Sequence, residues 1–207
     1  MGSHQERLKV HRRSLRLDGD LYTVLSLRPS EAARFATTGS EGTRRILTEA
    51  DGVQLLARLC WAMAFQRHAR TMTVIDPTFL VPDPLGAGPV APIVIINLDL
   101  GPLGPGAAAA LRLQLPFAMP SAGTVALQTR GLDVALADPV AFGQRDDQAG
   151  PVGHHWQQWV GDSADLVVMA APSPVLRAWG VSWSGLGPEG TDDVVRVVKD
   201  LTTSGSE

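Results

Sequence analysis

The histidines and acids concentrated in one stretch are the first residues to weigh for chemistry. His154 and His155 stand in the run Pro151-Val152-Gly153-His154-His155-Trp156, with Asp146 and Asp147 upstream and Asp162 and Asp165 downstream. An imidazole and a carboxylate in one cleft are the ordinary tools of acid–base or metal-assisted hydrolysis. His154, His155, Asp146 and Asp147 are therefore the candidate catalytic set. Adjacent side chains diverge on a helix or strand, so one zinc ion would need a further ligand, from His68 or an aspartate. No His-Glu-x-x-His or His-x-His spacing is present. No metal and no cofactor is assigned.

Other chemistries have less support. There is no Gly-x-Ser-x-Gly elbow, and Ser182-Trp183-Ser184-Gly185 offers hydroxyls without that strained turn. No phosphate-binding glycine motif occurs. The glycine-rich run Gly101 to Gly106 carries Pro102 and Pro105, which remove amide donors. Cys60, between Leu59 and Trp61, is the sole cysteine. It reads as a buried small hydrophobe, and an internal disulfide is impossible. A cytoplasmic location is expected on that basis.

The aromatic set is unusual, with five tryptophans and one tyrosine. Trp156 and Trp159 would share a helical face, and Trp179 and Trp183 a strand face. Two readings stay open: the four line a cleft for a flat ligand or a partner's apolar anchor, or they pack the core.

The elements that would position these residues follow from pattern. Ser14 to Leu25 alternates and turns at Asp18-Gly19, a hairpin signal. Short helices are expected over 30–35 and 41–49. Asp51 and Gln54 open the clearest helix, with Leu55, Leu56, Leu59, Cys60, Met63 and Ala64 forming a broad apolar stripe. Period two then dominates. Strands are expected at 71–75, 93–100, 111–117, 124–129, 132–137, 166–170, 176–183 and, more ambiguously, 194–201. A helical turn is expected at 154–160. The intervals look too short for regular βαβ crossovers. The fold class expected is α+β, a mostly antiparallel twisted sheet, sandwich or barrel-like in its extreme form, with an N-terminal helical layer. One domain spans 1–207, with 1–12 and 202–207 as flexible tails.

Charge narrows the partners. The 207 residues carry 18 Lys and Arg against 21 Asp and Glu, for a formal charge of −3. Residues 1–70 are net basic and the rest net acidic, which disfavours nucleic acid as a partner because it needs a sustained basic surface. Only Lys9 and Lys199 are lysines, an arginine skew that codon usage explains as well as function does. No apolar stretch reaches a membrane-spanning length. Between Leu85 and Leu132 the only charges are Asp99, Arg112 and Arg130. Such a stretch is either the buried centre of the fold or a surface covered by another molecule. The function expected is non-catalytic protein–protein interaction or assembly, as a homo-oligomer or with a protein partner. The alternatives are a hydrolase centred on the histidine pair and a small-molecule binding domain with a tryptophan-lined cleft.

Overall fold

The hairpin expected at Asp18-Gly19 forms. In the computed structural model, which describes residues 7–40, 43–83, 90–118, 121–143, 159–185 and 195–200, β1 (Arg7–Leu17) and β2 (Asp20–Ser26) pair antiparallel from His11 opposite Ser26 to Leu17 opposite Asp20. Asp18 (φ 49°) and Gly19 (φ 85°) both adopt left-handed backbone. That conformation matches the twist of the flanking strands. Residues 7–12 are not a free tail: they are the first half of β1 and pair with β7 (Gly123–Gln128).

Residues 30–35 and 43–49 are not the short helices expected. The chain instead makes a hairpin of β3 (Phe35–Ser40) and β4 (Thr43–Thr48), which β10 (Val195–Asp200) extends into a three-stranded antiparallel sheet. Their threonines and Ile46 favour extended backbone. The apolar helix is α1 (Ala50–Ala64), capped at Glu49 without a side-chain bond, with Asp51 in the first turn. There the carboxylate meets the positive end of the helix dipole.

Strands β5 (Thr71–Ile75), β6 (Ile93–Asn97), β8 (Trp159–Ser163) and β9 (Leu166–Ala171) complete a seven-stranded sheet of order β7-β1-β2-β5-β6-β9-β8. The sheet is open, with β7 and β8 at its edges, and is not a closed barrel. Four of its six pairings are antiparallel. The other two, β2 with β5 and β6 with β9, are parallel. These need the crossovers that spacing did not suggest; β3, β4 and α1 supply the first.

Two expected strands are helices, α3 (Leu132–Ala137) and α4 (Ser173–Ser184), and the strand expected over 111–117 is instead the end of α2 (Pro105–Leu113) followed by a turn. Proline in the first turn of α2 and α4 suits a helix start, and the alanine run of α2 favours helix strongly. The main sheet lies between two apolar layers. Leu25, Ile75, Ile93, Ile95, Val167 and Met169 face α1 and α4. Their strand neighbours Val24, Val74, Val94, Ile96 and Val168 face α2 through Ala107, Ala108 and Leu111. Strand β6 is buried on both faces, which accounts for its unbroken β-branched run. The helical layer is not N-terminal alone. Helix α4 crosses α1 so closely that a Cβ at Gly180 would lie 3.0 Å from the Ala57 carbonyl oxygen. Among the described residues no helix is long and apolar enough to cross a membrane.

Candidate functional site

Side chains two apart along a strand share a face. His11 and Arg13 therefore project from β1 on the same side as Leu15 and Leu17, the side covered by α2. Ser26 of β2 stands opposite His11, and Arg13 Nη1 donates to its hydroxyl. The Arg13 guanidinium also lies over the Phe117 ring, 4.5 Å from its centroid. Ser26 is in register with Val74 of the parallel strand β5. Two residues farther along each chain come Arg28 and Asp76, so both emerge at the carboxyl ends of the parallel pair. Ligands of open α/β sheets commonly bind outside such strand ends.

Asp76 is nearly buried, 7% exposed. Its Oδ1 accepts from the Thr78 amide (2.9 Å) and the Thr78 hydroxyl (2.5 Å). Burial, then the fields of Arg13 and Arg28, hold the His11 imidazole below its ordinary pKa. Burial likewise lowers Arg13, an effect that the Asp76 carboxylate partly offsets. Three nitrogens of this group, His11 Nδ1, Arg13 Nε and Arg28 Nε, are buried with no hydrogen-bond partner among the described residues. A buried polar atom left unpaired costs about 1–3 kcal/mol, and these three belong to side chains whose charges act on one another. With His11 neutral, two guanidiniums face one carboxylate. The site has donors and positive charge in excess.

No family model, curated protein or solved structure matches this chain.

A second polar group lies where β6 ends and α4 begins. Asn97 is fully buried. Its Nδ2 donates to the Met63 carbonyl (3.1 Å) and to Ser173 Oγ (3.0 Å), while its Oδ1 accepts from the Asp99 amide (3.0 Å). Asp99 Oδ2 accepts from both the amide (2.9 Å) and the hydroxyl (2.6 Å) of Ser173. The carboxylate thus caps α4 at the end where its dipole favours an anion. Both the nitrogen and the oxygen of the Asn97 amide are paired within the protein, so this cluster clamps α1, β6 and α4 together.

His154, His155, Asp146, Asp147 and Trp156 lie outside the described residues. Trp159 opens β8 and pairs with Ala170. Trp179 and Trp183 sit on α4 rather than on a strand, with rings stacked at 5.6 Å and 14°. Trp179 is part of the core beneath the sheet, and Trp183 packs against that core. Trp61 donates from Nε1 to the Arg130 carbonyl (3.3 Å) and packs with Phe65 and Phe142. Cys60 is wholly buried, and burial drives its thiol pKa far up; it is a packing residue. Asp20 pairs with Arg70 at 2.8 Å on the surface, and Asp18 sits against Gly106 in the first turn of α2. Among the described residues no group of three or more His, Cys, Asp or Glu is placed to hold a metal ion.

The basic group was missed by sequence reasoning. Its signal was the spacing of His11, Arg13, Leu15 and Leu17, which puts a histidine and an arginine on the apolar face of a strand.

Proposed function

We propose that the protein binds a small anionic molecule at the carboxyl ends of β2 and β5, through Arg13, Arg28 and His11. The observation that carries this reading is the set of three buried, unpartnered nitrogens on one side of the sheet. An anion would accept from them, and the excess of guanidinium over carboxylate would favour its charge. Asp76, fixed by Thr78, limits how much negative charge the site accepts. This is the small-molecule alternative of the sequence reading, moved from the tryptophans to the arginines.

Titration calorimetry of the full chain with sulfate, phosphate and acetate tests it. At least one anion is expected to bind saturably with one site per chain. Arg13→Gln and Arg28→Gln are each expected to weaken that binding tenfold or more, the usual effect of losing a hydrogen bond to a charged group. Circular dichroism on the same samples checks that the fold survives. Binding unchanged in both folded variants would overturn the proposal.

Assembly remains a second reading, favoured by the β7 edge. Among the described residues Gly123–Gln128 pairs on one side only, with β1, and it carries neither charge nor proline, the usual protections of an exposed edge. The occupant proposed is β7 of a second copy. Light scattering coupled to size exclusion would then give a multiple of 22.0 kDa, falling to the monomer mass in Val125→Pro. A monomer at all concentrations would remove this reading.

A further inference from the structure

We propose that the anion site selects a tetrahedral dianion of the phosphate-monoester class, and that His11 takes up a proton as the dianion enters. The inference rests on the anion-binding reading above and names its ligand class and its control by pH. Donor geometry is the first argument. The unpartnered nitrogens belong to three side chains on two adjacent segments, His11 and Arg13 on β1 and Arg28 beyond β2. A planar carboxylate offers two oxygens in one plane. A phosphate group joined to a carrier through one oxygen offers three more, arranged as a tripod, one for each side chain.

Charge balance is the second argument. The charged groups that act on His11 are Arg13 on its own strand and Arg28 beyond β2, while Asp76 beyond β5 acts on Arg13; α2, which covers this face, carries one charged residue, Arg112. Lys9 shares the face of His11 but is exposed, and β7, which places Thr124 beside His11, contributes no ionisable group. Arg13, Arg28 and Asp76 leave one net positive charge. A monoanion neutralises it with His11 uncharged. A dianion leaves one negative charge over, and protonating His11 removes it. In the protein alone burial first, then the two guanidiniums, oppose that proton. A bound dianion screens them and reverses the balance, so binding and protonation reinforce each other.

Sulfate is the probe, because it stays a dianion across neutral pH and brings no proton of its own; acetate is the planar monoanion for comparison. Calorimetry of the full chain at pH 7.5, in two buffers of different ionisation enthalpy, counts the protons. Sulfate is expected to bind about tenfold tighter than acetate, with a proton uptake approaching one per site. Its affinity should fall up to about tenfold per pH unit toward alkaline pH. His11→Asn is expected to abolish the uptake and flatten the pH profile while weaker sulfate binding through the arginines persists. Sulfate binding without proton uptake, or equal binding of acetate, would overturn this inference and leave the anion-binding reading standing. If neither anion binds, both fail together.

Discussion

Asn97→Leu is expected to cost about 3–4 kcal/mol of stability, read from urea unfolding followed by circular dichroism. Leucine keeps the branched shape of asparagine but is larger, so at this fully buried position overpacking adds to the loss. What is lost is the one group that joins three elements. The Met63 carbonyl at the end of α1, the Ser173 hydroxyl and the Asp99 amide all lose their Asn97 partner at once. The Met63 carbonyl still accepts from the Gln66 amide and the Ser173 hydroxyl still donates to Asp99, so each lost bond costs about 0.5–1.5 kcal/mol net, with the Asp99 amide at the upper end. For a chain of this size that corresponds to a fall of roughly 10 °C in Tm. A loss below about 1 kcal/mol would show that the clamp contributes little and that helix packing alone seats α4.

Gly52→Ala is expected to cost about 3 kcal/mol by the same measurement, a large effect for one methyl group. A Cβ at position 52 would fall 1.7 Å from Thr48 Oγ1 and 2.9 Å from Thr48 Cβ. Thr48 cannot simply rotate away. It is buried, and its hydroxyl donates to the Arg34 carbonyl at 2.6 Å, tying β4 to the entry of β3. The methyl group must therefore displace the start of α1 or break that bond, and overpacking of this kind usually costs 1–3 kcal/mol before the bond is counted. Thr48→Ala alone should cost about 1 kcal/mol. Combined with Gly52→Ala it should recover much of the larger loss, giving a coupling energy of about 1–2 kcal/mol. Strict additivity would place the strain elsewhere.

How far the fold was legible depends on whether a segment's two periods agreed. Helix α1 had one reading, because Leu55, Leu56, Leu59, Cys60 and Met63 recur only at helical spacing. Strands β5, β7 and β9 were equally plain, whereas β10 fitted either period and only β propensity tipped it to strand. In α4, Leu176, Trp179, Gly180 and Trp183 satisfy a helix while Leu176 to Trp183 also alternates, and propensity favoured the wrong period. Pro174 at its start was the tie-breaker, as Pro105 was for α2. The strand pairing was less accessible. Nothing local in Thr23 to Ser26 says that these residues lie beside Thr71 to Val74, since parallel neighbours are chosen by the whole core. The anion site inherits that difficulty. His11 and Arg13 were visible on one strand face, but Arg28 and Asp76 meet them only through the β2–β5 register. The arginine excess had an explanation in codon usage that concealed Arg13 standing on an apolar strand face.

Strand β1 acquires its two neighbours at very different moments of synthesis. β2 follows after a two-residue turn, whereas β7 lies more than a hundred residues later. At ordinary translation speeds that is a delay of roughly 6–20 s. Throughout it the leading half of β1, with Leu8 and Val10, is a strand edge without its partner, the arrangement that lets nascent chains on neighbouring ribosomes zip together. Arg7, Lys9, Arg12 and Arg13 all lie on that half or at its boundary. Two copies of so basic an edge repel, so the charges that dress β1 also keep the growing chain to itself until β7 arrives.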